Sequence, residues 1–177
     1  GRAPRRSRHG GPIVNAPILF LHGMATNARR TWGETGWLDL VGDAGREVLA
    51  FDLLGHGSAP QPTDPAEYDA FEQYVLDRLP DEPVDAVGFS LGSRTLLVLA
   101  AAHPERFGKL VVSGVGANLF RRDGSSAALA DALESQDESN PMVHHFQQLA
   151  ASTGQSIEAL VALLRRPNPP LVDADVL

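Results

Sequence analysis

The order of apolar segments predicts an α/β fold: a doubly wound, mostly parallel sheet with helices on both faces and a helical insertion. Short, continuously apolar runs alternate with longer segments of helical periodicity, which is typical of strands buried on both faces and joined by helices. Glycine and polar residues follow each apolar run, at the end of the strand where such sheets bind ligands. A length of 177 residues and a hydrophobic content of 43% fit one globular domain.

Four strands with intervening helices are predicted before residue 117. The predicted strands are Ile18–Leu21, Glu47–Phe51, Val84–Phe89 and Lys109–Ser113. The predicted helices are Thr31–Val41, with Trp32, Trp37 and Leu40 among its apolar positions, then Tyr68–Leu79 and Ser93–His103. Pro104 is expected to end the last of these helices.

Only helices are predicted after the fourth strand, within residues 117–166. A serine at 125 or 126 is expected to cap a helix that runs through Leu133, and Asn140-Pro141 indicates the start of another helix. Ser152 and Gln155 have the spacing of a capping box for a third helix, which Pro167 and the prolines after it end.

The predicted organisation therefore has three parts. Residues 1–12 form a basic tail that is expected to be disordered. Residues 13–116 form the α/β core, and residues 117–177 form the helical region with its exit.

The composition excludes several classes of function. Because cysteine is absent, disulfides, thiol catalysis and zinc–thiolate sites are excluded, and no motif indicates a metal or a cofactor. A formal net charge of -7 argues against nucleic acid as a partner. No apolar run approaches the roughly 18–20 residues of a membrane span. The apolar stretch after the basic tail is too short for a signal peptide, so a cytoplasmic location is expected.

One pentapeptide raises the question of nucleophilic catalysis. Gly88 and Gly92 flank Ser90 in a G-x-S-x-G pattern, at the predicted junction of a strand and a helix. That setting is typical of a nucleophile elbow, in which a tight turn presents the serine hydroxyl at the edge of the sheet. A serine that only caps the helix, with glycines needed for packing, explains the pattern equally well. A chance occurrence in this chain has a probability of roughly one in ten, so the motif alone leaves both interpretations open.

A second motif, Leu19-Phe-Leu-His-Gly-Met24, follows the first predicted strand. A hydrolytic serine needs two backbone N–H donors for the developing oxyanion. The residue after the nucleophile supplies one donor, here the amide of Leu91, and a loop after a neighbouring strand supplies the other. Gly23 allows that loop a close approach, and the amide of Met24 is the candidate donor. His22 is expected to shape the loop rather than to react.

A third motif, Phe51-Asp-Leu-Leu-Gly-His-Gly-Ser58, follows the second strand and predicts a sharp turn in which His56 is a loop residue. Together with A-x-x-H-P-E-R-F at 100–107, the three motifs resemble the α/β-hydrolase fold family, with Leu54 where many members carry arginine or proline. The resemblance implies that Ser90 is the nucleophile, that the amides of Met24 and Leu91 form the oxyanion hole, and that residues 117–166 are a helical cap.

The resemblance also implies a triad acid and a histidine, in that order after the serine. The sequence up to Leu177 contains no evident pair of this kind, so the chain is expected to be a fragment in which the C-terminal strands of the fold are missing. The downstream alternatives are expected to serve other roles: His103, His144, His145 and Asp123. The last predicted strand is then an unpaired apolar edge, through which the chain is expected to self-associate.

The predicted function is a serine hydrolase that cleaves an ester or similar acyl bond in a small apolar molecule and is inactive as the isolated chain. A non-catalytic ligand-binding protein and a carbon–carbon bond hydrolase remain alternatives. Serine at the elbow argues against dehalogenases and epoxide hydrolases, which use aspartate there. A dinucleotide-binding site at Gly114-Val-Gly116 is excluded because no third glycine follows at the required spacing.

Overall fold

The computed structural model describes residues 16–120 and 124–173 of the chain. The predicted tail at 1–12 and the candidate acid Asp123 lie outside the described residues.

A single parallel sheet of four strands forms the centre of the molecule. The strands are β1 (Ile18–Leu21), β2 (Val48–Ala50), β3 (Val84–Phe89) and β4 (Phe107–Ser113), in the order β2-β1-β3-β4. All three pairings are parallel. The predicted strands are thus confirmed, with β4 beginning two residues earlier because Phe107 pairs with Val84.

Six α-helices accompany the sheet in the described residues. They are α1 (Trp37–Asp43), α2 (Phe71–Leu76), α3 (Leu91–Ala102), α4 (Ser125–Glu134), α5 (Pro141–Thr153) and α6 (Ile157–Leu164). Shorter helical turns lie at Arg29–Gly33, Pro65–Ala70, Pro104–Arg106 and Ala117–Leu119.

The prediction of one continuous helix at Thr31–Val41 is wrong, because the segment is interrupted in its middle. A π-helical turn ends at Gly33, and α1 starts only after Gly36, which has a left-handed φ of 82°. Of the three apolar residues that supported a single helix, Trp32 is buried, whereas Trp37 is 50% and Leu40 is 61% exposed. The apolar periodicity was therefore not the signature of one buried helical face.

Helices cover both faces of the sheet, as predicted. Successive side chains of β1 point to opposite faces. Leu19 and Leu21 belong to the main apolar core, which includes residues of α2 and α3. Phe20 points the other way and packs against Trp32, with ring centroids 5.2 Å apart.

Helices α4, α5 and α6 pack against one another around Leu133, Val143 and Val161 and form the predicted helical region. The prediction for Asn140 is confirmed, because its side chain accepts a hydrogen bond from the Met142 amide at 3.0 Å at the start of α5. The predicted capping box at Ser152 is wrong.

Ser156 caps α6 instead, since its side chain accepts a hydrogen bond from the Ala159 amide at 3.1 Å. Ser152 lies inside α5 and donates to the Leu149 carbonyl at 2.8 Å. Gln155 turns its side-chain amide toward the core, where it donates to the Gly55 carbonyl. This contact replaces the local bond that a capping box would require.

One carboxylate joins the strands at the amino end of the sheet. Asp85 in β3 accepts a hydrogen bond from the Lys109 amide at 2.8 Å and an ion-pair contact from Arg46 at 2.9 Å. The Arg46 guanidinium also donates to the Ala16 carbonyl, just before β1. The register of β3 and β4 shifts at this point, so the carboxylate of Asp85 satisfies an amide that the ladder leaves unpaired.

Candidate active site

Ser90 lies between β3 and α3 in a strained backbone conformation. Its φ of 51° and ψ of -110° lie outside the regions that non-glycine residues ordinarily occupy. Such outliers persist where the surrounding structure enforces them, and they concentrate at functional sites. The hydroxyl of Ser90 does not cap α3, so the interpretation of Ser90 as a simple helix cap loses its support.

The two glycines of the pentapeptide are required by close backbone contacts. A Cβ atom at Gly88 would lie 2.7 Å from the Ser93 nitrogen. A Cβ atom at Gly92 would lie 2.8 Å from the His22 carbonyl oxygen and would also collide with the carbonyl of Leu21. The elbow and the loop after β1 therefore touch backbone to backbone.

Hydrogen bonds to the end of β4 hold the elbow from its other side. The Ser90 amide donates to the Ser113 carbonyl at 2.8 Å. The Ser93 hydroxyl donates to the same carbonyl at 2.8 Å and accepts from the Ser113 amide at 3.0 Å. Ser93 was not among the predicted site residues, although its position in the first turn of a helix that follows an elbow was an available signal.

The two proposed oxyanion donors flank this serine. Leu91 is the first residue of α3, and an amide at that position has no partner within its own helix. Met24 follows Gly23, where a Cβ atom would lie 3.6 Å from the Ser90 Cβ and 2.9 Å from the Phe89 ring. The loop after β1 therefore runs directly beside Ser90, as the predicted role of Gly23 requires.

His22 is fully buried beneath this loop and makes two hydrogen bonds. Its Nε2 atom accepts from the Leu53 amide at 2.9 Å, and its Nδ1 atom lies 2.7 Å from the Gly23 carbonyl oxygen. Burial lowers the pKa of His22, although the Gly23 carbonyl and Asp52 oppose the shift. His22 is thus a neutral imidazole that connects the loops after β1 and β2.

His56 is also fully buried, and its ring lies 5.2 Å from that of His22 in an edge-on arrangement. Burial and the neighbouring His22 lower the pKa of His56 to about 3. Its Nδ1 atom lies 3.2 Å from the Leu54 carbonyl oxygen. His56 lies in a loop, as expected, but its complete burial was not predictable from the sequence pattern.

Asp52 is the carboxylate that organises the loop after β2. It accepts hydrogen bonds from the amides of Ala28 and Ser58 and from the Ser58 hydroxyl, each at 2.8 Å. Burial raises the pKa of this carboxyl, but the bonds from Ser58 and Ala28 outweigh that effect and hold it below its usual range. One oxygen of Asp52 binds Ser58 of its own loop and the other binds Ala28 of the loop after β1, so Asp52 joins these two loops rather than acting on Ser90.

An aromatic surface borders the serine. The ring of Phe89 lies between Gly23 and Gly114, and Cβ atoms at those positions would approach it to 2.9 Å and 3.0 Å. The side chain remains 44% exposed. Two glycines therefore make room for an exposed apolar surface beside Ser90, a feature that was not predicted from the sequence.

The cap contacts the loops of the site directly. Ala25, with a φ of 61°, is fully buried against Ala150 and Leu160 of the cap. Gln61 accepts a hydrogen bond from the Ser156 amide at 2.9 Å. The cap thus rests on the residue that follows Met24.

The three remaining described histidines are distant from Ser90 or contact other side chains. His103 follows the far end of α3, a helix of 12 residues and therefore about 18 Å long. His144 is exposed and bonds to Gln148 at 2.8 Å, and His145 is exposed with its ring against Phe146. Among the described residues, none of these side chains hydrogen bonds to Ser90.

The described residues give no indication of a metal site or of a membrane span. Nowhere in 16–120 or 124–173 do three side chains of the metal-binding types gather into a group. None of the helices in those ranges combines the length and apolar character of a membrane-spanning segment.

A comparison with known protein families covers the strand, the strained serine and the helix of this arrangement. The family model of the α/β-hydrolase fold matches residues 16–174. The chain belongs to the α/β-hydrolase fold family. The resemblance and fold class inferred from the sequence are thereby confirmed.

Two curated relatives are hydrolases. The 2-hydroxymuconate semialdehyde hydrolase of Pseudomonas sp. (strain CF600) is 37% identical over 108 residues, which cover 55% of this chain and 36% of that protein. The sn-1-specific diacylglycerol lipase ABHD11 of Mus musculus is 33% identical over 130 residues, which cover 70% of this chain and 41% of that protein. The chain therefore spans less than half the length of each of these two relatives.

A solved esterase structure shares the fold. The esterase EaEST from Exiguobacterium antarcticum superimposes with a TM-score of 0.64 at 17% identity, covering 89% of this chain and 68% of that one. At this identity the likeness concerns the fold alone.

Proposed function

We propose that this chain carries the nucleophile and the oxyanion hole of a serine hydrolase that cleaves an ester or similar acyl bond in a small apolar molecule. The observation that carries the proposal is the backbone of Ser90, whose φ of 51° is maintained at a strand–helix junction directly beside Gly23. A serine that serves only packing gives no reason to store this strain.

The proposed reaction begins with attack of the Ser90 oxygen on the acyl carbon, while a base takes the hydroxyl proton. Negative charge then develops on the carbonyl oxygen, which the amides of Met24 and Leu91 would stabilise. The alcohol leaves with a proton, and water releases the acid from the acyl-enzyme. The exposed ring of Phe89 offers an apolar surface for the acyl group.

The described residues supply no evident base or acid for this reaction. His22 has both ring nitrogens engaged within the loops, and His103 lies at the far end of α3. A serine without its base is a weak nucleophile. Because the matches cover less than half of the two relatives above, we expect strong activity only where the protein at its native length supplies both groups.

The test compares Ser90→Ala with the unchanged protein at native length, with p-nitrophenyl acetate as the substrate. Removal of a catalytic serine is expected to lower kcat by at least about 1,000-fold. His103→Ala is the matched control and is expected to stay within about threefold of the unchanged rate, since loss of a half-exposed side chain at the far end of α3 has little effect on Ser90. Persistent hydrolysis by Ser90→Ala would refute the nucleophile assignment.

The 177-residue chain provides a second comparison. We expect it to hydrolyse this ester no faster than its Ser90→Ala variant. A clear Ser90-dependent rate would mean that a group within these 177 residues acts as the base. Loss of that rate in a His144→Ala, His145→Ala double variant would identify a cap histidine as that group.

A non-catalytic ligand-binding role is the second candidate, favoured by the lack of a hydrogen bond from any described histidine to Ser90. The native-length assay distinguishes it, because a binding protein shows no Ser90-dependent turnover of any acyl substrate. The similarity to a 2-hydroxymuconate semialdehyde hydrolase keeps carbon–carbon bond hydrolysis as a further alternative. Assay of a 2-hydroxymuconate semialdehyde beside the ester separates these two chemistries.

A further inference from the structure

The tautomer of His22 follows from its two hydrogen bonds. The Leu53 amide donates to Nε2 at 2.9 Å, so Nε2 carries no proton. The Nδ1 atom, 2.7 Å from the Gly23 carbonyl oxygen, must then hold the proton and donate it. Complete burial and a lowered pKa keep this imidazole neutral, with a single N–H.

The carbonyl that receives this proton belongs to the same peptide unit as the Met24 amide. A trans peptide is planar, and its C=O and N–H bonds point in opposite directions. The described chain contains no cis peptide bond. A hydrogen bond that turns the Gly23 carbonyl toward the buried His22 ring therefore turns the Met24 N–H away from that ring, toward the open side of the loop.

The same hydrogen bond also strengthens the donor. When a peptide carbonyl accepts a hydrogen bond, the unit is polarised and its N–H becomes a better donor. The loop has little freedom to turn this peptide in another direction, because Gly92 packs against the carbonyls of Leu21 and His22. On the outer side, Ala25 is held at a φ of 61° beneath the cap.

We propose that His22 is a positioning residue, whose Nδ1–H fixes the direction and donor strength of the Met24 amide in the oxyanion hole. This inference rests on the proposed function, because it concerns the donor of that reaction. The two ring nitrogens of His22 then have different functions. The bond to Gly23 acts on the transition state, whereas the bond to Leu53 holds the two loops together.

Two substitutions separate these two hydrogen-bonding functions, because the amide of each replacement side chain matches the distance from Cα of only one ring nitrogen. The Asn side-chain amide lies as many bonds from Cα as His Nδ1 does, so His22→Asn retains a donor for the Gly23 carbonyl and loses the acceptor for Leu53. The Gln side-chain amide matches His Nε2, so His22→Gln retains the acceptor for Leu53 and loses the donor to Gly23. Each variant removes one buried hydrogen bond, so similar losses of thermal stability are expected.

The two variants are expected to differ in kcat for p-nitrophenyl acetate at native length. Removal of a whole oxyanion donor costs about 100- to 1,000-fold in kcat, so a misdirected donor in His22→Gln is expected to cost about 10- to 100-fold. KM should change by less than about threefold, because the oxyanion is absent from the ground state. His22→Asn should keep kcat within about threefold of the unchanged protein.

Equal losses of kcat in both variants, or a smaller loss in His22→Gln than in His22→Asn, would overturn the proposal. Nitrogen-detected NMR of the unchanged protein keeps it testable if either variant fails to fold. A proton on Nδ1 of His22 is expected, and a proton on Nε2 would overturn the inference. Ser90→Ala separates the two failures: if it abolishes activity while His22→Gln does not lower kcat, the proposed function stands and this inference falls.

Discussion

Strands β1 and β4 both pair in parallel with β3, yet their surroundings differ completely. In β1, Leu19 and Leu21 are fully buried between neighbours. In β4, Val111 is 59% and Val112 is 37% exposed, because the strand lies at the edge of the described sheet. Both segments are rich in apolar residues that favour strands. Apolar composition therefore identified the strands, whereas sheet order determined which of them is buried.

The difference extends to the way each strand supports Ser90. On the β1 side, Gly92 meets the carbonyls of Leu21 and His22 without room for a methyl group. On the β4 side, hydrogen bonds to Ser113 hold the elbow. The contact at Gly92 is steric and leaves no space for an added atom. The contact at Ser113 consists of hydrogen bonds to β4, which lies at the edge of the described sheet.

The largest expected effect comes from an added methyl group on the β1 side. Gly92→Ala is expected to lower the free energy of unfolding by about 3 kcal/mol, because the new Cβ collides with backbone that cannot move aside. Urea unfolding followed by circular dichroism measures the change.

Gly42→Ala in α1 is the matched control, since a Cβ at Gly42 meets no atom within 4 Å. It is expected to stabilise the protein by about 0.5 kcal/mol through the lower entropy of the unfolded chain. Equal effects of the two substitutions would show that the contact behind the elbow is not tight.

An intermediate effect is expected from acid, because the loops after β1 and β2 enclose two neutral imidazoles. Burial, with a smaller contribution from His22, lowers the pKa of His56 from 6.5 to about 3. Between these values the unfolded chain binds a proton that the folded chain does not. The contribution of His56 to stability is therefore complete above pH 6.5 and is lost as pH falls toward about 3.

His56→Asn removes this titration while it retains a donor for the Leu54 carbonyl. Between about pH 4 and pH 6, the free energy of unfolding of the unchanged protein is expected to fall more steeply than that of the variant, by about 1.4 kcal/mol per pH unit. Urea titrations at several pH values measure both slopes. Parallel slopes would show that His56 is protonated in the folded protein.

The smallest effect on stability is expected at the β4 edge. Val111→Lys should change the free energy of unfolding by less than about 0.5 kcal/mol, because the side chain is already largely exposed. The self-association through this edge that the sequence predicts should, in contrast, be weaker in this variant, since a charge on an edge strand opposes pairing with another chain. Sedimentation velocity over a range of concentrations measures this change in the 177-residue chain.

Leu40→Lys provides the control, since Leu40 is 61% exposed in α1, which packs beside β2 at the edge of the sheet opposite β4. It should leave self-association unchanged. If both lysine variants weaken association equally, exposed apolar area in general drives it. If neither does, β4 is not the associating surface.

Local signals in the sequence predicted the sheet and the elbow well. The strands Ile18–Leu21 and Val84–Phe89 have the predicted bounds, because each mainly apolar segment is followed directly by a polar residue, His22 or Ser90. The positions of Gly88 and Gly92 also followed from the strand–turn–helix pattern. Asn140 was recognisable because its capping bond involves a residue only two positions away.

Features that depend on distant contacts were not predictable in the same way. Ser152 and Gln155 have capping spacing, but Gln155 bonds to Gly55 across the boundary between cap and core. The segment Thr31–Val41 has helical periodicity, but a left-handed Gly36 divides it. Neither the burial of His56 nor the exposure of Phe89 is visible in a linear pattern, because both depend on neighbouring strands and loops.

The Asp85 carboxylate has a consequence at the opposite end of the sheet. It fixes Lys109 in place, and Ser113 lies four residues further along β4, about 13 Å away. A slip of β4 by one residue would carry the Ser113 carbonyl away from the Ser90 amide and turn the side chains of β4 to opposite faces. Asp85 thus fixes the register of β4 from the amino end of the sheet. In this way it determines which carbonyl of β4 accepts the hydrogen bond from the Ser90 amide at the carboxyl end.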